Sequence, residues 1–323
     1  MATALVTGGT GFVGSHLIEA LLGRGDRVRA LVRSPAKAEA LGFSGVEWLP
    51  GDLDDRPALD RATRGAEVIY HAAGLVAVRS DAEGMAANRD GTERLIDSAR
   101  DTGARVVFVS SLAAGGPSEP GRPASGNETS HPVTAYGRSK LAAEAVVRSG
   151  PLPWVIVRPP AVYGPRDREL FRVFRGIARY GVAPVFGRGE QQLSLVYATD
   201  LAQAIVAAGT VAGAAGQTFC PAHPEVVTSS ELVRAIAEAA RRRLRIIRIP
   251  VPIGRIMLHA TGAVAGLTGR TTLLNRDKGN EFFAPGWTCD PTPFERISGW
   301  RAAFDLPAGA AATFQWYRQA GWL

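Results

Sequence analysis

A tyrosine and a lysine stand one helical turn apart in the stretch AYGRSKLAAEAVV, residues 135–147. Lysine is rare in this chain of 323 residues, which contains only Lys37, Lys140 and Lys278. At positions i and i+4 of a helix, the side chains of Tyr136 and Lys140 lie on one face. A neighbouring ammonium lowers the pKa of a phenol, so the spacing predicts a tyrosine that exchanges a proton near neutral pH. On the pair alone, a buried tyrosine beside a solvated lysine is the better explanation.

Two serines precede this helix and could bind a substrate. Ser110 and Ser111 end the predicted strand RVVFVSS, and parallel sheets bind ligands at the carboxyl ends of their strands. A serine hydroxyl there would hold the substrate oxygen, so that hydride and proton reach opposite ends of one carbonyl. Ser110 and Ser111 are both candidates for this role.

A glycine-rich turn near the N-terminus could bind phosphate. TGGTGFVG places Gly8, Gly11 and Gly14 in a GxxGxxG pattern between a predicted strand and a predicted helix. Glycine lets the backbone approach a pyrophosphate closely, and the helix N-terminus supplies free N–H groups and partial positive charge. A tight structural turn would also explain the glycines, but the position in the first βα turn favours a dinucleotide site.

The end of the second predicted strand indicates which dinucleotide binds. An acidic residue there would bind the ribose 2′-hydroxyl of NAD, but this strand ends with Val32 and Arg33. An arginine can pair with a 2′-phosphate, so we predict NADP, with NAD as the alternative and a solvated surface arginine as the bland explanation. Asp52, after the third strand, could meet the adenine amino group or simply form a turn.

Strand-like and helix-like segments alternate through the first half of the chain. Apolar runs such as TALVTGG and PWVIVRPPAV predict buried strands, and FVGSHLIEALLGRG and ANRDGTERLIDSARDTG predict helices with one apolar face. SSELVRAIAEAARRR predicts a helix capped by Ser229 or Ser230. The alternation predicts an α/β fold, a Rossmann-type doubly wound parallel sheet with a smaller, mainly C-terminal substrate-binding lobe. We expect residues 1–164 to form the dinucleotide-binding domain, with segments near 195–220 returning to it, and residues 165–323 to form the lobe.

Composition excludes several classes of protein. The formal net charge of +7 suits an anionic ligand, but no basic stripe interleaved with aromatic residues indicates nucleic acid binding. Two cysteines cannot form a disulfide framework, which favours a reducing, cytoplasmic location. The five histidines show no metal-ligand spacing, and no GxSxG motif indicates a Ser-His-Asp hydrolase. No signal peptide is recognisable.

One apolar segment, residues 249–269, is long enough to be considered for a membrane. Its two prolines, Arg255 and His259 make a spanning helix costly. We therefore expect it to cover an apolar pocket in the smaller lobe, with the hydrophobic core of that lobe as the alternative. The basic run RRRLRIIR, residues 241–248, precedes it and leaves contact with a membrane interface open.

Taken together, these motifs resemble the extended short-chain dehydrogenase/reductase family. TGGTGFVG matches its TGxxGxxG fingerprint, YGRSK its YxxxK motif, and VFVSS the strand that carries the catalytic Ser or Thr. GDL, YHAAG, NRDGTERLI, VRPPAVYGP and VYATDLAQAI match further landmarks in the right order. The resemblance spans nearly the whole chain, and several motifs in sequence are far more specific than any one alone.

The resemblance implies roles for the matched residues. Ser111 would hold the substrate oxygen, Tyr136 would be the acid/base, and Lys140 would bind the nicotinamide ribose and tune Tyr136. Asn88 would buttress the active site. The expected cofactor-binding residues are Thr7, Gly8, Gly11, Phe12, Val13, Gly14, Arg33, Asp52, Leu53, His71, Ala72, Ala73, Asn88, Tyr136, Lys140 and Pro159. The resemblance also suggests a homodimer formed through two helices of each subunit, including the helix of Tyr136.

Departures from the family pattern bear on the substrate. Members that act on nucleotide-linked sugars resemble RPxNVYGP and tend to carry an arginine before VxxDL, both for the substrate diphosphate. Here those places hold Ala161 and Leu193, although Arg166, Arg168 or Arg172 could compensate. Leu112 and Ala113 follow Ser111 where dehydratases carry an Asp–Glu pair, which disfavours dehydration.

The remaining reading is hydride transfer on a hydrophobic carbonyl or hydroxyl compound. The chain is similar to the 3β-hydroxysteroid dehydrogenase and dihydroflavonol reductase branches, so we predict an NAD(P)-dependent oxidoreductase that converts a ketone and a secondary alcohol. A nucleotide-sugar epimerase of the same family is the alternative. A non-catalytic dinucleotide-binding scaffold is the alternative of another class.

Overall fold

A computed structural model describes residues 1–267 and 276–323, without the side chains of residues 262–267 and 276. Its strands are β1 Thr3–Thr7, β2 Arg27–Val32, β3 Val46–Pro50, β4 Val68–His71, β5 Arg105–Val109, β6 Trp154–Val157, β7 Ala161–Tyr163, β8 Val182–Phe186, β9 Gln192–Tyr197, β10 Gln217–Phe219, β11 Val226–Thr228, β12 Arg245–Ile249 and β13 Gly286–Trp287. Its α-helices are α1 Phe12–Gly23, α2 Pro35–Glu39, α3 Arg56–Thr63, α4 Asp81–Gly84, α5 Gly91–Ala99, α6 Leu112–Gly115, α7 Ala135–Ser149, α8 Phe171–Tyr180, α9 Ala198–Thr210, α10 Ser229–Ala239, α11 Val251–Leu267, α12 Arg276–Phe282, α13 Thr292–Ser298 and α14 Leu306–Gln319. A π-helix, Met85–Asp90, precedes α5, and a short 3₁₀ turn, Ala212–Ala214, follows α9.

Seven parallel strands form the main sheet, in the order β10-β6-β5-β4-β1-β2-β3. Successive residues of a strand point to opposite faces, and both faces of this sheet are covered. Ala4 and Val6 of β1 pack in a core with α1 and α9, whereas Leu5 packs in a second core with α3 and α5. The predicted α/β class and Rossmann-type doubly wound sheet are confirmed.

The second half of the chain builds a smaller body of mixed structure. β9 pairs with β7, β11 and β13, and β12 pairs with β8 as a separate two-stranded ribbon. Helices α8, α10 and α14 enclose a third core with these strands. Two parts of this half pack with the main sheet: α9 and β10, and the aromatic pair Phe294 and Trp300. The division of the chain at residue 164 stays a prediction from sequence. Some segments after residue 164, such as α9 and β10, belong to the core of the main sheet.

Three local predictions are corrected by the structure. The predicted strand PWVIVRPPAV is two strands, because Pro159 and Pro160 cannot donate ladder hydrogen bonds, and β7 leaves the main sheet to pair with β9. The predicted helix ANRDGTERLIDSARDTG begins with π-helical geometry. Helix α10 is capped by Thr228 instead of a serine: its hydroxyl accepts from the Glu231 amide, and the Glu231 carboxylate accepts from the Thr228 amide.

Helix α11 makes up most of the apolar segment 249–269, and the last two residues of the segment lie outside the described part of the chain. Between residues 251 and 261 only Gly254 and Leu258 are buried: Gly254 lies against Phe186 and Phe283, and Leu258 lies against Gly279. The segment is therefore neither lobe core nor wholly an inner cover, since most of its described side chains face outward. Within residues 1–267 and 276–323, no helix has the length and apolar character that crossing a bilayer requires.

Candidate functional site

The chemistry-bearing residues collect at the carboxyl edge of the main sheet. Gly8 follows β1, His71 ends β4, Ser111 follows β5 and Pro159 follows β6. Helix α7 brings Tyr136 and Lys140 to the same edge. In an open parallel sheet this edge is where ligands bind, and the strand order reverses on either side of β1.

The glycine loop is shaped by close backbone contacts. Gly8 has φ of 74°, and a Cβ there would lie 2.6 Å from the Ala73 amide nitrogen. A Cβ on Gly14 would lie 2.2 Å from the Gly8 carbonyl oxygen, which accepts a hydrogen bond from the Gly11 amide at 2.9 Å. Only glycine fits at Gly8 and Gly14, so the loop turns tightly and holds β1, α1 and the segment after β4 together.

The N-terminus of α1 fits the pyrophosphate of a dinucleotide. Gly11 is its N-cap, and no side chain caps the first turn. The amides of Phe12, Val13 and Gly14 therefore point out of the helix without an intrahelical acceptor. Such amides, with the positive end of the helix dipole, form an anion site, and the glycines leave room for the backbone to approach it.

The residues predicted to select the cofactor lie at the ends of β2 and β3. Arg33 is exposed directly after β2, and no carboxylate among the described residues pairs with it. Asp52 accepts the Asp54 amide at 2.9 Å, so it forms the turn considered from sequence and keeps its second oxygen available. Leu53 packs beside Gly91, and its carbonyl accepts from Arg94.

His71 is structural through its side chain. The Ala73 amide donates to the Thr7 hydroxyl, which lies 2.6 Å from His71 Nδ1. His71 Nε2 lies 2.9 Å from the Thr92 hydroxyl, which donates to the Asn88 carbonyl. Since Thr92 donates onward, Nε2 carries the proton and Nδ1 accepts from Thr7. Burial, with a smaller contribution from Lys140, lowers the pKa of His71 to about 3. Beside Gly8 the glycine loop is bordered by the backbone of Ala72 and Ala73.

Asn88, in the π-helix, joins two parts of the site. Its side chain accepts from the Leu75 amide and donates to the Leu75 carbonyl, at 2.7 and 3.0 Å. It also donates to the Ser139 hydroxyl at 2.8 Å, and Ser139 donates to the Tyr136 carbonyl. Asn88 therefore fixes the loop after β4 against the helix of Tyr136, which makes it a positioning residue by geometry.

The structure separates the two candidate serines. Ser110 is buried, and its hydroxyl donates to Glu144 at 2.6 Å. Ser111 is half-buried, caps α6 by accepting the Ala113 amide, and lies close enough to the Tyr136 phenol to favour its ionised form. Ser111 is thus the serine whose hydroxyl reaches the tyrosine, whereas Ser110 belongs to the interior.

Lys140 lies beside the path from the glycine loop to Tyr136. Its Nζ donates to the Val109 carbonyl at 2.7 Å and stands 4.1 Å from the centre of the Phe108 ring. A Cβ on Gly74 would come within 3.7 Å of this Nζ. Because Ala73 also borders Gly8, the segment 72–74 connects the phosphate loop to Lys140.

The pKa values correct one sequence expectation. Burial raises the pKa of Tyr136, which outweighs the lowering by Ser111, and Glu281 and Glu169 raise it further. Burial lowers the pKa of Lys140 itself to about 7, with Glu144 opposing. The prediction that the Lys140 ammonium makes the phenol acidic is therefore wrong for the protein alone.

Beneath the site lies a buried ion pair that the sequence analysis missed. Arg158 and Glu144 are 2% and 0% exposed, and two guanidinium nitrogens donate to the carboxylate at 2.8 and 2.7 Å. Arg158 also borders a cavity of about 330 Å³ at the β10 edge of the sheet, which Thr218 also lines. The sequence did contain a signal for Glu144, because Tyr136, Lys140 and Glu144 follow one another at intervals of four residues and so share one helix face.

A second missed feature is the contact of α12 with the start of α7. The Asp277 carboxylate accepts from the Ala135 amide at 2.7 Å, and Glu281 accepts from the Thr134 hydroxyl at 3.1 Å. These bonds hold α12 next to Tyr136. The residues that these two bonds join are 142 and 147 positions apart in sequence, so local spacing could not reveal the contact. No group of three metal-ligating side chains occurs within the described residues.

Comparison with known proteins decides the family. A family model described as the NAD dependent epimerase/dehydratase family matches residues 4–219, more than half of the chain. The chain belongs to this family. The match begins in β1 and ends with β10, so it includes the glycine loop, Ser111, Tyr136 and Lys140. The resemblance to extended short-chain dehydrogenases/reductases is thereby confirmed.

The relatives of this chain include oxidoreductases and epimerases. The chain is 34% identical over 319 residues to the ceramide reductase of Caulobacter vibrioides, covering 98% of this chain and 95% of the relative. It is 30% identical over 284 residues to a 3β-hydroxysteroid dehydrogenase/Δ5→4-isomerase of Mycobacterium tuberculosis, covering 79% and 74%. The Thermus thermophilus UDP-glucose 4-epimerase complex with NAD shares the fold, with TM-score 0.80, 24% identity, and coverage of 98% and 99%.

Proposed function

We propose that this family member is an NADP-dependent oxidoreductase that interconverts a hydrophobic ketone and its secondary alcohol. The observation that carries the proposal is the meeting of the Ser111 hydroxyl and the Tyr136 phenol at the carboxyl edge of the sheet, with Lys140 one helical turn behind. A hydroxyl and a phenol together form a site for one substrate oxygen, which is what carbonyl reduction or alcohol oxidation needs.

Each residue has a distinct role in this proposal. Ser111 holds the substrate oxygen, and Tyr136 exchanges a proton with it. The raised pKa of Tyr136 keeps its phenol protonated in the protein without cofactor. The protonated phenol is the form that donates to a ketone. Lys140 and the backbone of residues 72–74 hold the ribose and phosphate portions of the cofactor. The nicotinamide, when bound, supplies or takes up the hydride.

The substrate class follows from what the site lacks. The two positions that bind a diphosphate in nucleotide-sugar enzymes are Ala161 and Leu193, which offer no hydrogen bond. The Arg166 guanidinium binds Glu19 and His16, and Arg168 stacks over Trp322 at 5.2 Å. Of the three arginines that could compensate, only Arg172 makes no such side-chain contact among the described residues. A dianionic diphosphate would lose several charge-assisted hydrogen bonds here.

The names of two relatives support a hydrophobic substrate. Ceramide and 3β-hydroxysteroids are both largely apolar molecules that carry a hydroxyl group. The choice of NADP rests on Arg33, which stands at the ribose end of β2 in place of a carboxylate and has no ion-pair partner among the described residues.

The test is cofactor oxidation by the purified protein with long-chain aliphatic and steroid ketones, using NADPH and NADH. We expect turnover with NADPH and a loss of roughly 10²- to 10⁴-fold in Tyr136→Phe, because the proton donor is removed. Tyr180→Phe, at an exposed tyrosine, should turn over like the wild type. Arg33→Ala should raise the KM for NADPH about tenfold or more while sparing NADH.

Two outcomes would overturn the proposal. Interconversion of UDP-sugars without net cofactor oxidation would show the epimerase alternative. Equal rates for wild type and Tyr136→Phe on every ketone and alcohol would show a dinucleotide-binding protein without this chemistry.

A further inference from the structure

The net charge of the chain is confined to its second part. Residues 1–164 contain 18 Lys and Arg and 18 Asp and Glu, whereas residues 165–323 contain 19 and 12, so the whole formal charge of +7 lies in residues 165–323. Between Glu238 and Asp277 the sequence has no acidic residue. The imbalance is therefore local and centres on β12 and α11.

Arginines in the two parts of the chain are used differently. Twelve of the 16 arginines in residues 1–164 form an ion pair with a carboxylate. Six exposed arginines on and around β12 and α11 have no carboxylate partner within the described residues: Arg241, Arg242, Arg243, Arg245, Arg248 and Arg255. Paired arginines satisfy internal charge, whereas six unpaired ones in one short stretch attract an external anionic surface.

Helix α11 adds an apolar face beside this charge. Ile253, Ile256 and Met257 are 52%, 69% and 50% exposed, and with Ala260 they follow the spacing i, i+3, i+4, i+7 of one helix face. In β12, Ile247 is 47% exposed. The opposite stripe of α11 is the one that packs inward, as described above. An apolar helix face bordered by arginines is the pattern of a helix that lies in a membrane interface.

We propose that the exposed residues of segment 245–261, called here the β12–α11 surface, dock this protein on a bilayer that contains anionic lipids. The arginines pair with lipid phosphates, and the apolar face of α11 enters the boundary of the acyl chains. Pro252, Arg255 and His259 keep the helix in the plane of the interface.

A second copy of the chain fits this surface poorly. Two such surfaces facing each other would bring together two sets of unpaired arginines, with no acidic residue on the segment to offset them. Nucleic acid would satisfy the charge but leave the apolar face of α11 in water. Only a surface that is both anionic and apolar matches both features.

The docking surface is connected to the proposed active site. In α11, Leu258 contacts Gly279 of α12, and Gly254 contacts Phe283, which follows α12 directly. Arg255 also stacks over Phe283 at 5.5 Å. Helix α12 is bonded to Thr134 and Ala135, next to Tyr136. This step rests on the proposed function and names its substrate class. The hydrophobic substrate is a lipid that reaches the site from the bilayer by way of α11 and α12.

The test is co-sedimentation of the full chain with vesicles, without cofactor or substrate, so that its failure is distinct from a failure of the proposed activity. Vesicles of phosphatidylcholine alone are compared with vesicles containing one-third phosphatidylglycerol. We expect binding to the anionic vesicles that weakens with salt. Arg245→Gln/Arg248→Gln should weaken it about 25-fold, at about fivefold for each arginine.

The apolar half of the inference has its own variant. Ile256→Gln/Met257→Gln should weaken binding by more than about tenfold, because the buried CH₂ groups are lost. Matched controls are Arg61→Gln/Arg64→Gln, at exposed arginines of α3 and its end, and Val226→Gln, at a valine that is 42% exposed. These controls should bind within about twofold of wild type, and circular dichroism should show all variants folded.

Three results would overturn the docking surface. The first is no sedimentation with anionic vesicles above the phosphatidylcholine level. The second is equal weakening by the α3 controls, which would show attraction by net charge alone. The third is concentration-dependent self-association that Ile256→Gln/Met257→Gln abolishes, which would assign the apolar face to a second copy.

Discussion

Two groups of polar side chains at the carboxyl edge of the sheet differ in how fully they are bonded. In the first, Thr7, His71 and Thr92 form a chain in which every nitrogen and hydroxyl of the three side chains has a partner inside the protein. In the second, and within the part of the chain that the structure describes, Lys140 has one hydrogen bond, to Val109, and the Tyr136 phenol has its contact with Ser111. The second group keeps hydrogen-bonding capacity that a ligand can use.

This difference teaches which buried polar residues are functional. A polar group held in the interior costs free energy unless it is bonded, so full bonding indicates a structural role and spare capacity indicates a site. By that criterion His71, Ser110 and Glu144 hold the sheet edge in shape, and Ser111, Tyr136 and Lys140 form the site that this edge supports. The following variants test the distinction.

The largest expected effect is on stability, at Glu144. Glu144→Gln keeps the shape but removes the charge that compensates buried Arg158, and such a loss costs about 3 to 5 kcal/mol in the free energy of unfolding. Urea unfolding followed by circular dichroism measures the effect.

Glu119→Gln is the matched control, because Glu119 forms an ion pair with Arg122 in which both side chains are largely exposed, at 74% and 82%. Exposed pairs of this kind contribute little, so this variant should unfold at nearly the same urea concentration as wild type. Equal effects of the two substitutions would show that burial does not distinguish the Arg158 pair.

The second effect concerns Lys140 and depends on pH. With a pKa of about 7 in the folded protein and 10.5 as its ordinary value, Lys140 binds fewer protons in the folded than in the unfolded state between these pH values. The free energy of unfolding therefore rises with pH from 7 to 9, by about 2 kcal/mol at 1.36 kcal/mol per unit of pKa. Tyr136, whose pKa is raised, acts in the opposite sense only above about pH 10.

Lys140→Met should remove this rise, and Lys37→Met, at an exposed lysine, should retain it. The measurement is urea unfolding at pH 7, 8 and 9 for the three proteins. A wild-type slope that persists in Lys140→Met would mean that the ammonium of Lys140 is held charged in the folded protein, contrary to the contrast drawn here.

Sequence alone predicted the parts of the site that depend on local spacing. The glycine pattern between β1 and α1 requires tight backbone approach, and Tyr136 and Lys140 share a face because any helix places i and i+4 together. The alternation of strands and helices predicted the parallel sheet for the same reason. The hydrophobic period of 2.0 residues in strands and 3.6 residues in helices can be recognised within a short stretch of sequence.

The rest of the site depends on contacts between distant segments. Which of Ser110 and Ser111 faces the tyrosine is set by the orientation of their side chains at the end of β5. The pKa of Tyr136 was mispredicted because burial, which the motif does not show, raises it and outweighs the lowering by Ser111. Asp277 reaches Ala135 only because the chain folds α12 back onto α7.

The third effect concerns His71 below neutral pH. Its folded pKa of about 3 lies below the ordinary value of 6.5, so the unfolded state binds the extra proton as the pH falls. The stability contributed by neutral His71 is complete above pH 6.5 and declines below it, by about 2 kcal/mol at pH 5. The difference in unfolding free energy between pH 7 and pH 5 should shrink in His71→Asn by that amount, and His131→Asn, at an exposed histidine, should match wild type.

The smallest effect separates the adjacent serines. Ser110→Ala removes one of the hydrogen bonds to buried Glu144 and should lower stability by about 1 to 2 kcal/mol, with turnover of the folded protein nearly unchanged. Ser111→Ala loses a helix cap worth about 1 kcal/mol but also the group that holds the substrate oxygen, so its turnover should fall while its stability changes less. Thermal unfolding and ketone reduction on both variants give the two quantities. If Ser110→Ala lost the activity and Ser111→Ala kept it, the substrate oxygen would lie on the interior side of β5, and full bonding would fail as a mark of structural residues in this protein.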